Sequence, residues 1–211
     1  MNVSKTEVDH ALVDVRKAFR LLHDYQRAAL DAAKYIGTQL GLPYAGGYQH
    51  FSDHASPRDA GGSLDNCAWD WLNLMFYEFH FQLKEQNGKY TNLSIWLLSD
   101  TGYFISDDRA LDKTDINTFA PVDKAETKVG FLLYRNWGSK YYEQLRDTPE
   151  NFRRFIKNNG ELPALLKDEG VIGKCCDFSR ISDDKSADEV IDELVFLTRG
   201  SYELKRASKA V

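Results

Sequence analysis

The stretch VDHALVDVRKAFRLLHDYQRAALDAAKYIGTQL, residues 8–40, decides how the rest of the chain is read. Val8, Leu12, Val15, Phe19, Leu22, Gln26, Ala29, Ala33, Ile36 and Leu40 follow one another in alternating steps of four and three residues. Side chains so spaced fall on one stripe of an α-helix. Ser4 with Glu7 reads as a capping box before the stripe, and Gly41 with Pro43 as a stop after it. The spacing therefore predicts one helix, about 50 Å long at ~1.5 Å per residue, which exceeds the ~30 Å width of a small domain. Part of it is expected to project or to pair. Gln26 is the one polar position on the stripe, and a polar seam residue sets register when helices associate.

Downstream, Pro43 to Gly62 is rich in glycine and reads as a long irregular connection holding His50, Asp53 and His54. Ser63 is expected to cap a short helix through Cys67 and Trp71. A strand follows, with Met75, Tyr77, Phe79, Phe81 and Leu83 on one face and Glu78, His80, Gln82 and Lys84 on the other. Its partner carries Leu93, Ile95 and Leu97. Matching the apolar faces rejects a two-residue turn at Asn87-Gly88. A three-residue loop, Asn87 to Lys89, is expected instead, joining Phe79 to Leu97 and Phe81 to Ile95 and placing His80 opposite Trp96. Further strands are expected over 103–106, 128–135 and 171–178. Helices are expected from Thr148 to Asn159-Gly160, over 162–167, and from a capping box at Ser186 and Glu189 to Gly200; the basic tail with Lys205, Arg206 and Lys209 is expected to fray.

These elements make an α+β fold: a long N-terminal helix, an antiparallel meander of about four to five strands, and C-terminal helices. One domain is expected over 1–211, divided into the helix (1–42), the Gly-rich loop (43–62), a helix and antiparallel sheet (63–136), and helices with an extra strand (137–211). The composition, 43% hydrophobic and 28% charged over 211 residues, is that of a globular chain. A formal charge of −5 argues against nucleic acid as the main partner, because phosphate binding draws on clustered Lys and Arg. The basic flank of the helix, with Arg16, Lys17, Arg20 and Arg27, is interleaved with Asp14, Asp24 and Asp31, so pairing on the helix surface is expected.

No basic start with an apolar run marks the N-terminus, and no run approaches the ~18 apolar residues of a membrane span, so a cytoplasmic protein without a membrane role is expected. Cys67, Cys175 and Cys176 form no metal or disulfide pattern, which fits a reducing compartment. With Cys175 and Cys176 adjacent on a strand, one thiol should face each side as a buried structural residue.

Two clusters bear on chemistry. His50, Asp53 and His54 lie within five residues and offer ligands for a divalent metal, although Phe51 stands where a zinc protease needs Glu. Glu78 and His80, two apart on a strand, point the same way and have the types needed for acid–base work. Asp70 ahead of Glu78-Phe79-His80 resembles the acidic residue and Glu-x-Lys strand of restriction-endonuclease-like nucleases, with His80 where the lysine belongs. The plainer expectation for Glu78, His80, Gln82 and Lys84 is the solvated face of an antiparallel sheet. No nucleophile elbow, Walker loop or dinucleotide fingerprint occurs. Two readings follow. One is a non-catalytic interaction module that pairs with a protein partner or itself through Leu12, Phe19, Leu22, Gln26 and Ile36. The other is a metal-dependent hydrolase or nuclease built from Glu78, His80 and the Gly-rich loop.

Overall fold

A computed structural model describes residues 5–49, 75–85, 87–102, 119–135, 154–162, 170–199 and 204–207. The expected helix is continuous: α1 spans Lys5–Gln39. Its end is a Schellman motif. Gly41 takes φ +66°, the Leu42 N–H donates to the Gly37 carbonyl at 2.9 Å, and the Gly41 N–H donates to Thr38 O at 3.0 Å. The expected stop at Gly41 is thus a left-handed cap that a Cβ would strain.

Five strands form one antiparallel sheet in chain order: β1 (Tyr44–Gln49), β2 (Phe76–Lys84), β3 (Tyr90–Leu98), β4 (Lys128–Arg135) and β5 (Ile172–Asp177). The α+β class and the antiparallel meander are as the sequence predicts, but the strand membership differs. The start of the supposed irregular connection is β1, which its paired glycines concealed. Gly47 is needed there because a Cβ would lie 2.4 Å from the Glu78 carbonyl oxygen of β2. β4 pairs directly with β3; the strand expected over 103–106 lies outside the described residues. The Ser63 helix, the beginning of the helix at Thr148, residues 163–167 and Gly200 also lie outside the described residues.

The expected β2–β3 register is corrected by two residues. Phe79 faces Ile95, Phe81 faces Leu93, and His80 faces Ser94 rather than Trp96. A three-residue loop is used, but it spans 86–88: Glu85 N–H donates to Lys89 O at 2.7 Å and Gly88 N–H to Glu85 O at 3.0 Å. Gly88 has φ +80°, the left-handed position that closes such a loop, and only the earlier register puts glycine there. Matching apolar faces fixes register modulo two residues; the turn glycine chooses among the rest.

The sheet is covered on both faces. On one, Phe79, Phe81, Leu93, Ile95, Leu97, Val129, Phe131 and Leu133 pack against Ala29, Ala33, Ile36 and Leu40 of α1 and against Val190, Ile191 and Leu194 of α2 (Asp184–Leu197). Gly37 lets α1 approach: a Cβ there would stand 2.3 Å from the Phe81 ring. On the other face Trp96, Leu98, Leu132, Tyr134 and Cys175 meet Phe155 and Ile156 from the helical turn 154–157. That turn ends at Asn159 (φ +51°) and Gly160 (φ +88°), where its stop is expected. Cys175 and Cys176 do divide between the two faces, both buried.

Two C-terminal expectations are corrected. The N-cap of α2 is Asp183, three residues before Ser186: its carboxylate accepts the Ser186 N–H at 3.0 Å and the Ser186 hydroxyl at 2.8 Å. Asp184 is the first residue of the helix. Residues 204–207 are docked rather than frayed. Arg206 donates to Asp192 at 2.8 Å and to Asp188 at 3.1 Å, Leu204 is buried, and the Ala207 N–H reaches Gln39 O at 2.7 Å.

Candidate functional site: a projecting helix and a buried polar face

The helical stripe divides at Tyr25. From Ala29 onward it is buried, with Ala29, Ala33, Ile36 and Leu40 at 0–3% exposure. Before Tyr25 every described side chain, from Glu7 to Asp24, is exposed on all sides of the helix. Val8, Leu12, Val15, Phe19 and Leu22 stand at 42–69% exposure. Tyr25 marks the edge of the body: its hydroxyl hydrogen-bonds Ser99 Oγ at 2.7 Å, and its ring meets Phe178 edge-on at 5.6 Å. Burial pushes the Tyr25 hydroxyl above its ordinary pKa, with the Ser99 bond acting against that shift.

Three of the expected interaction residues, Leu12, Phe19 and Leu22, therefore sit on an unpacked arm, and Gln26 is half-buried at its base. Ile36 is corrected: it is at 0% exposure inside this chain's own core and offers nothing to another chain. The arm is about 27 Å of helix. Lys17 pairs with Asp14 at 3.0 Å and Arg27 with Asp31 at 3.1 Å, the surface pairing expected of the charged flanks.

The second face of the sheet is not solvated, which corrects the plainer expectation for Glu78 and His80. Glu78 is at 0% exposure and His80 at 6%. The strand register aligns them with their partners: His80 faces Ser94 on β3, and Ser94 faces Leu132 on β4, one pleat from Tyr134. His80 Nδ1 lies 3.0 Å from Ser94 Oγ, Ser94 Oγ lies 3.5 Å from the Tyr134 hydroxyl, and His80 Nε2 lies 3.4 Å from Glu78 Oε1. Beside this run the Gln82 amide donates to Asn92 Oδ1 at 2.8 Å. Burial pushes the Tyr134 hydroxyl up to about 12, with the Ser94 hydroxyl opposing and the Glu78 carboxylate adding to the shift. Imidazole and hydroxyl are thus hydrogen-bonded with the Glu78 carboxylate close by, side-chain types that serve acid–base work.

Access is the difference between such a run and a working site. Among the described residues one hollow is lined by Asn158, Gly160 and Lys174 with others and another by Leu30, Ala33, Tyr44 and Phe81 with others, and neither is lined by Glu78, His80 or Ser94. His50, Asp53 and His54 lie outside the described residues. Among the described residues no three His, Cys, Asp or Glu side chains gather as a metal site, and no helix is long and apolar enough to cross a membrane. Burial raises the Cys175 thiol to about 12 and Cys176 to about 11, so both are held as neutral thiols, poor nucleophiles.

The course of the arm was half legible from sequence. The stripe showed that something must cover it; what sequence reasoning missed is where the chain's own sheet stops covering it, which depends on the placement of Ser99 and Phe178.

The sequence model of a family described as PM0109 matches residues 5–201. A protein of Pasteurella multocida (strain Pm70), described as uncharacterized protein PM0109, is 38% identical over 56 residues. That match covers 26% of this chain and 26% of the relative, about a quarter of its length. No solved structure matches.

Proposed function

The chain belongs to the PM0109 family, whose matched region includes the whole arm, and we propose that it is a protein-interaction module that self-associates through the exposed half of α1. One observation carries this reading: five large apolar side chains continue the core stripe for the length of the arm and stand 42–69% exposed. Fully burying such a side chain stabilises by roughly 1.5–3 kcal/mol, and most helical stability in proteins comes from packing an amphipathic face. An arm of about 18 residues without tertiary support is marginal as an isolated helix. A partner helix supplies the missing face, and a stripe of alternating three- and four-residue steps suits knobs-into-holes pairing.

The test is sedimentation equilibrium across a wide concentration range on the full chain and on Leu12→Asp with Phe19→Asp. Concentration-dependent mass in the parent, lost in the variant with its thermal midpoint unchanged, is expected. A parent that stays monomeric throughout, or a variant that associates equally well, contradicts the reading.

A second reading, a metal-dependent hydrolase or nuclease working on the polar sheet face, draws support from the closeness of Glu78 to His80 and the hydrogen bond of His80 to Ser94. It requires His50, Asp53 or His54 to bring a divalent metal to that face. Metal retained on purification, or a thermal midpoint raised by Zn, Mn or Mg, is what it expects, since a ligand of the folded state stabilises it. No metal and no shift count against it.

A further inference from the structure

Resting on that reading, we infer that the arms of two copies pair antiparallel, with Leu12 against Val15 and Asp9 against Arg16 of the second copy. The first argument is steric. The stripe of the arm is continuous with Ala29, Ala33 and Ile36, which lie on this chain's own sheet. In a parallel pair the seam would lead both sheets onto the same side of the same two helices. An antiparallel partner instead runs along the arm from the start of α1 toward Tyr25. The arm reaches from the start of α1 to Tyr25, where contact with Ser99 begins.

Among antiparallel heptad registers, one matches that length. With Leu12 against Val15 and Val8 against Phe19 of the second copy, residue 5 of one chain falls opposite Leu22 of the other, short of Tyr25. Sliding by one heptad toward the bodies sets Val8 against Gln26 and residue 5 against Ala29, which is already buried on its own sheet. Sliding the other way leaves Phe19 and Leu22 uncovered.

Charge selects the same register independently. The positions that flank the seam on one side are Asp9, Arg16 and His23, and on the other Ala11, Ala18 and Tyr25. In an antiparallel pair each flank meets its own kind. The length-matched register sets Asp9 beside Arg16 of the second copy twice, by symmetry, and Ala11 beside Ala18 twice, so the helices can approach closely on that side. The register one heptad further in sets Arg16 against Arg16, which is repulsive. A parallel pair sets Arg16 beside Ala11 and forms no ion pair at all.

Charge reversal tests the orientation. In the full chain, Arg16→Asp and Asp9→Arg each place like charges together at two symmetric points, and each should weaken dimerisation about tenfold at low salt. The double variant, Asp9→Arg with Arg16→Asp, should recover the parent dissociation constant within about twofold, and the differences should shrink in 1 M salt where the Debye length is about 3 Å. Helix content by circular dichroism controls for the end effect of a charge near the N-terminus. Single reversals without effect, or a double variant no better than the singles, overturn the antiparallel register. If the parent still dimerises and Phe19→Asp still abolishes it, the association reading survives that failure; a monomeric parent removes both.

Discussion

The two halves of α1 carry one stripe and meet opposite fates. Residues 29–40 press against the sheet with Ala29, Ala33 and Gly37 at the closest approach, whereas residues 8–22 present Val8, Leu12, Val15, Phe19 and Leu22 to solvent. The packed half has glycine at Gly37 because the Phe81 ring comes within van der Waals reach of the helix backbone there, and it buries Ile36 and Leu40 in the same core. The exposed half uses large residues, with alanines beside them. Periodicity marks one face along the whole helix; the contacts of Tyr25 with Ser99 and Phe178 mark where this chain stops covering it.

Substitutions that introduce the same charge in each half make the sharpest contrast. Ile36→Asp buries an unpaired carboxylate at a position of 0% exposure and should cost at least about 4 kcal/mol, enough to unfold a marginal domain. Leu22→Asp should leave the thermal midpoint of the monomer within error while weakening association. Equal losses of stability from the two would erase the division at Tyr25. Gly37→Ala comes next. It should gain about 1 kcal/mol of helix propensity, yet lose about 1–3 kcal/mol in displacing the Phe81 ring, so a net destabilisation in urea unfolding is expected. A stabilised Gly37→Ala protein would mean that the helix and sheet are not in such close contact.

How far the sequence carries depends on which physical signal an element uses. α1, β4 and β5 announce themselves through periodicity and composition. β1 does not, because Gly46 and Gly47 serve a bulge and a close backbone approach, and glycine carries no face signal. The register of β2 with β3 was legible to within a two-residue slip, since apolar faces repeat every second residue and only the position of Gly88 breaks the tie. Glu78 and His80 were found as a pair by their spacing. Their burial was not, since a charged strand face looks the same whether water or Phe155 and its neighbours cover the sheet beside it. The solvation of the arm is likewise a tertiary fact, settled by where β3 and β5 end.

Smaller effects locate the boundary itself. Tyr25→Phe removes the hydroxyl bound to Ser99 at 2.7 Å and should cost about 1 kcal/mol in chemical unfolding, with dimerisation of the arm unchanged. A loss of association instead would place Tyr25 in the seam rather than in the body.

The smallest effect serves as a pH marker for the body. Glu85 accepts from Thr91 at 2.6 Å and from Arg135 at 2.9 and 2.8 Å, tying the β2–β3 loop to the end of β4. These bonds, Thr91 first and Arg135 next, hold its carboxyl down from 4.5 to about 2. A depressed carboxylate stabilises the fold fully above its unfolded pKa and loses that contribution as pH falls from about 4.5 toward 2. Glu85→Gln should therefore cost up to about 1 kcal/mol at pH 7, and its stability should fall less than the parent's between those limits. Parallel pH curves for the two proteins would show that the Glu85 tie contributes nothing.

The central claim, that one helix is half core and half interface, is tested most directly by hydrogen exchange along α1 as protein concentration is varied. Amides of residues 29–40 should be protected equally at every concentration, while those of 8–22 should exchange fast in dilute protein and slow as dimers form. Protection in 8–22 that does not change with concentration, whether high or low, would contradict it.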